Sequence, residues 1–231
     1  ISVTVPFGST FLHASATGGL LGESQFTFLA GAVTAQLTVQ DAVAGTNLSG
    51  PAPLAVDTGT LSLWRFNEGS GSVFSDAGPL NLTLAVAFGS IGHFPGRFAG
   101  GLHFDGGTYL LNGTPAGLPT SAGARTVQAW IFPRSSQNVM GILSWGPSGS
   151  DPFRFSLNNG QLSVNMGGGY VSNGPVLSTG AWQHVAFSYD GADGRYYLNG
   201  QPVGVNAFGA VNTGAAPLYV GQTDLSERFL G

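Results

Sequence analysis

The chain has 231 residues, 42% of them hydrophobic and only 8% charged, with 38 glycines, 13 prolines, no cysteine and a formal net charge of −4. That composition excludes a disordered chain, which would be polar and highly charged, and leaves no thiolate metal site and no disulfide framework. The seven basic residues are all arginine and form no cluster, which sets aside nucleic acid and a polybasic membrane anchor, and no apolar run reaches the ~18–20 residues of a membrane span.

Residues 1–57 read as a small β segment. Ile1, Val3 and Val5 alternate with Ser2 and Thr4, and Phe11 to Ala16, Gln25 to Leu29 and Ala32 to Val39 are further strand candidates. Gly45, Gly50, Pro51, Pro53 and Gly59 mark a boundary near residue 58. From there to residue 231 short strands recur. They are expected at Leu61 to Phe66, Gly101 to Phe104, Thr126 to Phe132, Gly141 to Trp145, Phe153 to Leu157, Gln161 to Met166, Trp182 to Tyr189, Arg195 to Asn199 and Leu218 to Gly221. Asn159-Gly160 and Asn199-Gly200 are hairpin signals, because both residues of such a pair readily take the positive φ of a tight turn. No 3.6-residue periodicity survives over a helix-length window, so the fold class is all-β, an antiparallel two-sheet sandwich behind a small N-terminal segment. A chain that begins with Ile1 reads as processed or as a fragment. A surface this poor in charge, set against ~25% charged residues in an average domain, suits an extracellular protein or one that packs into an array.

Several fragments taken together resemble the laminin-G-like, pentraxin-like jelly rolls of the concanavalin A type. Leu63 to Gly71 looks like the opening strand of such domains, with Asp76 following, and Gly100 to Gly106 like the next core strand. Thr126 to Ile131 resembles the central strand. Trp182-Gln183-His184-Val185-Ala186-Phe187-Ser188-Tyr189-Asp190-Gly191 is the most specific piece, and Tyr197 to Gly200 and Leu218 to Gly221 complete the series. The resemblance implies a jelly roll over 58–231, and a non-catalytic extracellular protein acting in adhesion or recognition of a glycan or another protein. It also implies a last strand that this chain, ending at Phe229-Leu230-Gly231, apparently lacks. The alternating strand Ile1, Val3, Val5 of a neighbouring copy could fill that place, which makes the alternative reading a filament subunit, a homopolymer assembled by strand exchange.

Enzyme chemistry has little to stand on. The tight Glu-x-Asp-x-x-Glu cluster of glucanases with this fold is absent, and Asp190 with Asp193, and Asp224 with Glu227, read as turn or solvated pairs. His13, His93, His103 and His184 lack metal spacing, and His103 and His184 read as packed, hydrogen-bonded core histidines. Gly167 to Gly169 has no following helix or lysine and is no phosphate loop. Calcium is the one cofactor expectation. The resemblance implicates the first-strand turn and the Phe-Asp-Gly turn, so Glu68, Asp76 and Asp105 are its candidate ligands, with turn-shaping as the other reading for Asp76 and Asp105. Trp64, Trp130 and Trp182 are expected in the core. Trp145, beside Gly146, Pro147 and Gly149, is the expected exposed, loop-borne ligand-binding aromatic. Asn47, Asn81 and Asn112 begin Asn-x-Ser/Thr sequons.

Overall fold

Short runs of β-branched and aromatic residues, cut every few positions by glycine, proline or asparagine, can form only short strands. The computed structural model describes residues 55–231 except 149–150, 167–169, 172 and 209–210, and it gives only the backbone of residues 170–171 and of four strands in the first 54 residues. The chain divides into two compact units, Ile1–Ala55 and Val56–Gly231.

In the first unit β1 (Ser2–Val5) pairs antiparallel with β4 (Val33–Gln36), and β2 (Phe11–Ala16) with β3 (Leu20–Gln25). Val3 and Val5 thus lie in a strand that is already paired within its own unit. Their side chains, Ile1, Asn47 and the expected strand through Leu29 lie outside the described residues.

The second unit carries β5 (Val73–Phe74), β6 (Leu84–Phe88), β7 (Gly92–Pro95), β8 (Gly100–His103), β9 (Tyr109–Asn112), β10 (Arg125–Ile131) and β11 (Val139–Trp145). There follow β12 (Phe153–Asn158), β13 (Gln161–Asn165), β14 (Tyr170–Val171), β15 (Gln183–Tyr189), β16 (Asp193–Leu198), β17 (Gln201–Ala207) and β18 (Leu218–Val220). Eight strands form one sheet in the order β14-β13-β12-β11-β18-β9-β6-β5, four form a second in the order β10-β15-β16-β17, and β7-β8 is a separate ribbon. All pairs are antiparallel, and the described residues contain no helix.

The two sheets pack face to face over one core. From the large sheet come Phe155, Leu157, Leu162, Val164, Leu84 and Leu110, and from the small sheet Val185, Phe187 and Tyr196, each 0% exposed. The Phe153 and Phe187 rings meet across the core with centroids 6.1 Å apart. Alternation decides this, since the odd residues of β15 point in and Trp182, His184 and Ala186 fall on the other side. Both Asn-Gly turns behave as expected, with φ of 49° and 79° at Asn159-Gly160 and 50° and 80° at Asn199-Gly200.

Two expectations need correction. Leu61 to Phe66 forms no ladder; its one bridge is Trp64 to Asp76. Trp130 and Trp182 are not core residues. The register that turns Ala129 and Ile131 inward turns Trp130 outward, where Phe98 meets it edge-on at 5.6 Å, and Trp182 packs half-buried on Phe132. His184 shares that outer face, its Nε2 3.1 Å from Gln128 Oε1, and burial holds its pKa below the usual histidine value. His103 is likewise half-buried and bonded, to Arg134 at 2.9 Å, rather than enclosed in the core. Trp64 does pack against the core, and its Nε1–H donates to Leu82 O at 2.7 Å.

Candidate functional site

The outward face of the large sheet is the informative surface. Cross-strand register places Asn165, Arg154, Ser144, Tyr219, Leu111 and Ala85 in one row on that face, with Phe88 opposite Tyr109 beside it. Their neighbours Val164, Phe155, Leu143, Val220 and Leu110 turn into the core. One end of this face is therefore aromatic, and the middle is polar.

A hairpin at 221–229 lies over the middle. Gly221 N–H donates to Ile142 O at 2.9 Å, Thr223 N–H to Glu227 O at 3.1 Å and Phe229 N–H to Gly221 O at 2.9 Å. The close approach requires glycine at 141, because a Cβ there would strike the Gln222–Thr223 backbone. Asp224 clamps the hairpin. Its carboxylate accepts from both Arg154 Nε–H and Nη2–H, the latter at 2.7 Å, and from Ser148 Oγ–H at 2.9 Å. Arg154 is 8% exposed, so this is a buried ion pair.

The hairpin delivers Arg228 to the aromatic end. The guanidinium carbon sits 5.1 Å from the Phe88 ring centroid and 5.2 Å from that of Tyr109, and Nη1–H donates to Gly107 O. Tyr219 continues the cluster, 6.1 Å from Tyr109 between centroids. Phe88 is 59% exposed, a large solvent-facing ring whose position neither burial nor turn formation explains. On the other side of Arg228 an open cleft of about 560 Å³ is lined by Gly106, Ser135, Gln137, Asn138 and Glu227. Val139, Met140 and Leu230 give the cleft apolar walls as well, and Arg228 forms the ridge between it and the aromatic patch.

The three candidate calcium ligands are not brought together. Among the described residues no group of three or more His, Cys, Asp or Glu side chains could hold a metal ion. Asp76 accepts the N–H groups of Leu63 and Gly78 on Oδ1, both at 2.7 Å, and of Leu82 on Oδ2 at 2.9 Å. Burial pushes its pKa up, but these three donors pull it further down, to a net value below the ordinary carboxyl. Asp105 accepts from Gly107 N–H and Thr108 N–H, both at 2.8 Å, and these bonds hold its carboxyl below the usual range. Glu68 accepts from Ser75 N–H at 3.1 Å. The donor set does not fit a shared calcium, and each carboxylate organises a turn. Asp105 shapes the turn whose Gly107 carbonyl receives Arg228.

Trp145 is not an exposed aromatic. As the last residue of β11 it shares the inward parity of Leu143, is 3% exposed, stacks on Phe153 at 4.3 Å and donates Nε1–H to Pro119 O at 3.0 Å. Arg125 lies 5.4 Å from its ring and caps this end of the core, bonded to Gly123 O, Ser121 O and Thr213 Oγ1. Burial draws the pKa of Arg125 down to about 10, which still leaves it charged. Trp145→Phe is expected to cost about 1–2 kcal/mol in denaturant unfolding through the lost bond and volume, and to leave ligand binding unchanged. Phe88, Tyr109, Tyr219 and Arg228 were not picked out by the sequence.

No curated protein matches the chain. In fold it is similar to domain 4 of AbnA, an extracellular GH43 arabinanase from Geobacillus stearothermophilus solved with arabinotriose, at 19% identity and a TM-score of 0.56, covering 68% of this chain and 82% of that one. It is also similar to the binding domain of botulinum neurotoxin DC in complex with SialylT, at 12% identity and a TM-score of 0.54, where the match spans 69% of this chain and 42% of the toxin domain. Residues 104–231 match the laminin-G-type model of the concanavalin A-like lectin/glucanases superfamily, and with more than half its length in that match the chain belongs to this superfamily.

Proposed function

We propose that the second unit is a non-catalytic recognition module of an extracellular protein, and that it binds a glycan across the outward face of its large sheet. The observation that carries this reading is the cluster of Phe88, Tyr109, Tyr219 and Arg228 beside an open cleft of mixed polar and apolar lining. Exposed rings pack against the C–H faces of sugars, and fixed serine, glutamine and asparagine groups at the rim satisfy hydroxyls. The arabinotriose- and SialylT-bound domains of the same fold lend the reading support. Glu227 is the one carboxylate lining the cleft, and its Oε2 accepts from Thr223 Oγ1 at 2.8 Å, whereas glycoside hydrolysis uses two carboxyl groups facing each other. The test is a glycan array probed with the intact chain and with Phe88→Ser. The chain is expected to bind a defined subset of glycans and the variant to bind them about ten-fold more weakly. Equal binding by the two proteins would overturn the assignment of the surface, and binding to no glycan would overturn the ligand class.

Strand addition has a separate observation in its favour. Val185 and Phe187 are fully buried, while Val127 and Ala129 on β10 and Leu102 on β8, facing the same core, are only half-buried. Phe104 exchanges two backbone bonds with Gly231, at 2.8 and 3.0 Å, and Arg134 N–H donates to Leu230 O, so the chain's own residues 229–231 occupy the start of that place and an incoming strand would continue in line after Gly231, between β8 and β10. In this second reading the incoming strand is Ser2–Val5 of another copy, which must first leave its ladder with Val33–Gln36. Negative-stain microscopy separates the readings, since ordered fibres favour strand exchange and single particles exclude it.

A further inference from the structure

Arg228 differs from Arg154 and Arg195, which both meet a carboxylate. Arg154 is neutralised by Asp224, and Arg195, on the other sheet, lies 3.5 Å from Asp190. Among the described residues no ion pair reaches Arg228, and the neighbouring Glu227 carboxylate is engaged by Thr223. A guanidinium carries five N–H donors, and one of those on Arg228 is used, on Gly107 O. Its guanidinium carbon lies over the rings of both Phe88 and Tyr109. The stacking has two consequences. It covers ring surface that a neutral sugar would otherwise pack on, and together with the bond to Gly107 O it holds the guanidinium in place, so that less side-chain freedom remains to be lost when an anion docks.

The mount is rigid at three points. The Asp224–Arg154 pair anchors the hairpin that carries Arg228, Asp105 fixes the turn that presents Gly107 O, and the rings set the tilt of the guanidinium. Without an ion pair and half-buried at the lip of a cleft whose one carboxylate, Glu227, accepts from Thr223, such a group suits the bidentate capture of a planar or tetrahedral oxyanion.

We infer that this surface selects acidic glycans over neutral ones, with the carboxylate or sulfate of one sugar received by Arg228 and the adjoining sugar lying against the exposed part of Phe88. The inference rests on the glycan-recognition reading and names the ligand class of that same surface. It makes Arg228 the specificity-determining residue and Asp105 a positioning residue, acting through Gly107.

The experiment is calorimetry of the whole chain with three probes, trigalacturonic acid, its neutral counterpart galactotriose and a sulfated galactan oligosaccharide of similar length. An acidic probe is expected to bind at least about ten-fold more tightly than galactotriose, and the advantage is expected to shrink between about 0.05 and 0.5 M salt as the charge contact is screened. Arg228→Gln removes the preference and leaves the weak neutral binding, while Arg228→Lys, which keeps a point charge without the fork, retains part of it. A preference for trigalacturonic acid assigns a carboxylate ligand, and one for the galactan a sulfate. Equal binding of acidic and neutral probes, with both lost in Phe88→Ser, would overturn the inference and leave the glycan reading standing. No binding of any probe, to a chain that also binds nothing on the array, would overturn both. An acidic preference unchanged in Arg228→Gln, with the melting temperature preserved, would place the anion elsewhere.

Discussion

Asp224→Ala is expected to destabilise the second unit by about 3–5 kcal/mol, because it strands the guanidinium of Arg154 in a site where that side chain is nearly inaccessible. For a unit of this size that corresponds to a melting temperature lower by about 10 °C. The mechanism is separable from simple loss of a bond. Ser148→Ala removes one neutral donor to the same carboxylate and is expected to cost only about 1 kcal/mol. The double change Arg154→Met with Asp224→Leu leaves no unpaired charge and is expected to recover much of the loss. Because the clamp also seats the hairpin that carries Arg228, Asp224→Ala is expected to weaken glycan binding even at temperatures where the protein remains folded. A variant that melts with the parent would mean the pair is not held as described.

Asp76→Ala is the second large effect, at roughly 3–5 kcal/mol, since the N–H groups of Leu63, Gly78 and Leu82 lose their acceptor together in a poorly solvated turn. Its pH signature is distinctive. The folded carboxyl lies below the unfolded value of 3.8, so its contribution is complete above that pH and disappears as pH falls through the lower folded value. The gap between wild type and Asp76→Ala, followed by urea unfolding, is therefore expected to be constant from neutral pH to about pH 5 and to begin to narrow below about pH 4. A gap that widened on acidification would contradict the assignment.

The two turns organised by Asp76 and Asp105 were legible in the sequence. Each carboxylate bonds backbone N–H groups two to six residues ahead in the chain, with Asp76 also reaching back to Leu63, which is turn chemistry. The central hairpin β15–β16 was legible for a plain reason: Val185, Phe187 and Tyr189 alternate, and Asn199-Gly200 closes the turn into β17. Of the strands that build the candidate site, the one carrying Tyr219 was expected at Leu218 to Gly221, but those carrying Phe88 and Tyr109 were not. Leu84-Ala85-Val86-Ala87-Phe88 and Tyr109-Leu110-Leu111-Asn112 are apolar without alternation, so period alone cannot say which residue faces out. The bulge between Val86 and Phe88 adds a shift that no local pattern predicts. Trp145 misled for the opposite reason. The Gly146-Pro147 that follows it is true loop sequence, but Trp145 is the last residue of β11, as the expected strand Gly141 to Trp145 also had it, and the parity of that strand buries the ring. Arg228 depends on a fold-back between distant positions, the seat of the 221–229 hairpin at Gly141, which nothing local encodes.

The most direct test of the account is a ¹⁵N-resolved NMR titration of the intact chain with the glycan that binds best on the array. Amide shifts concentrated at Phe88, Gly107, Tyr109, Tyr219 and residues 226–228 are the predicted result. Shifts concentrated instead at Trp130, His184 and Gln128 on the outer face of the small sheet would contradict it and move recognition to the opposite side of the sandwich.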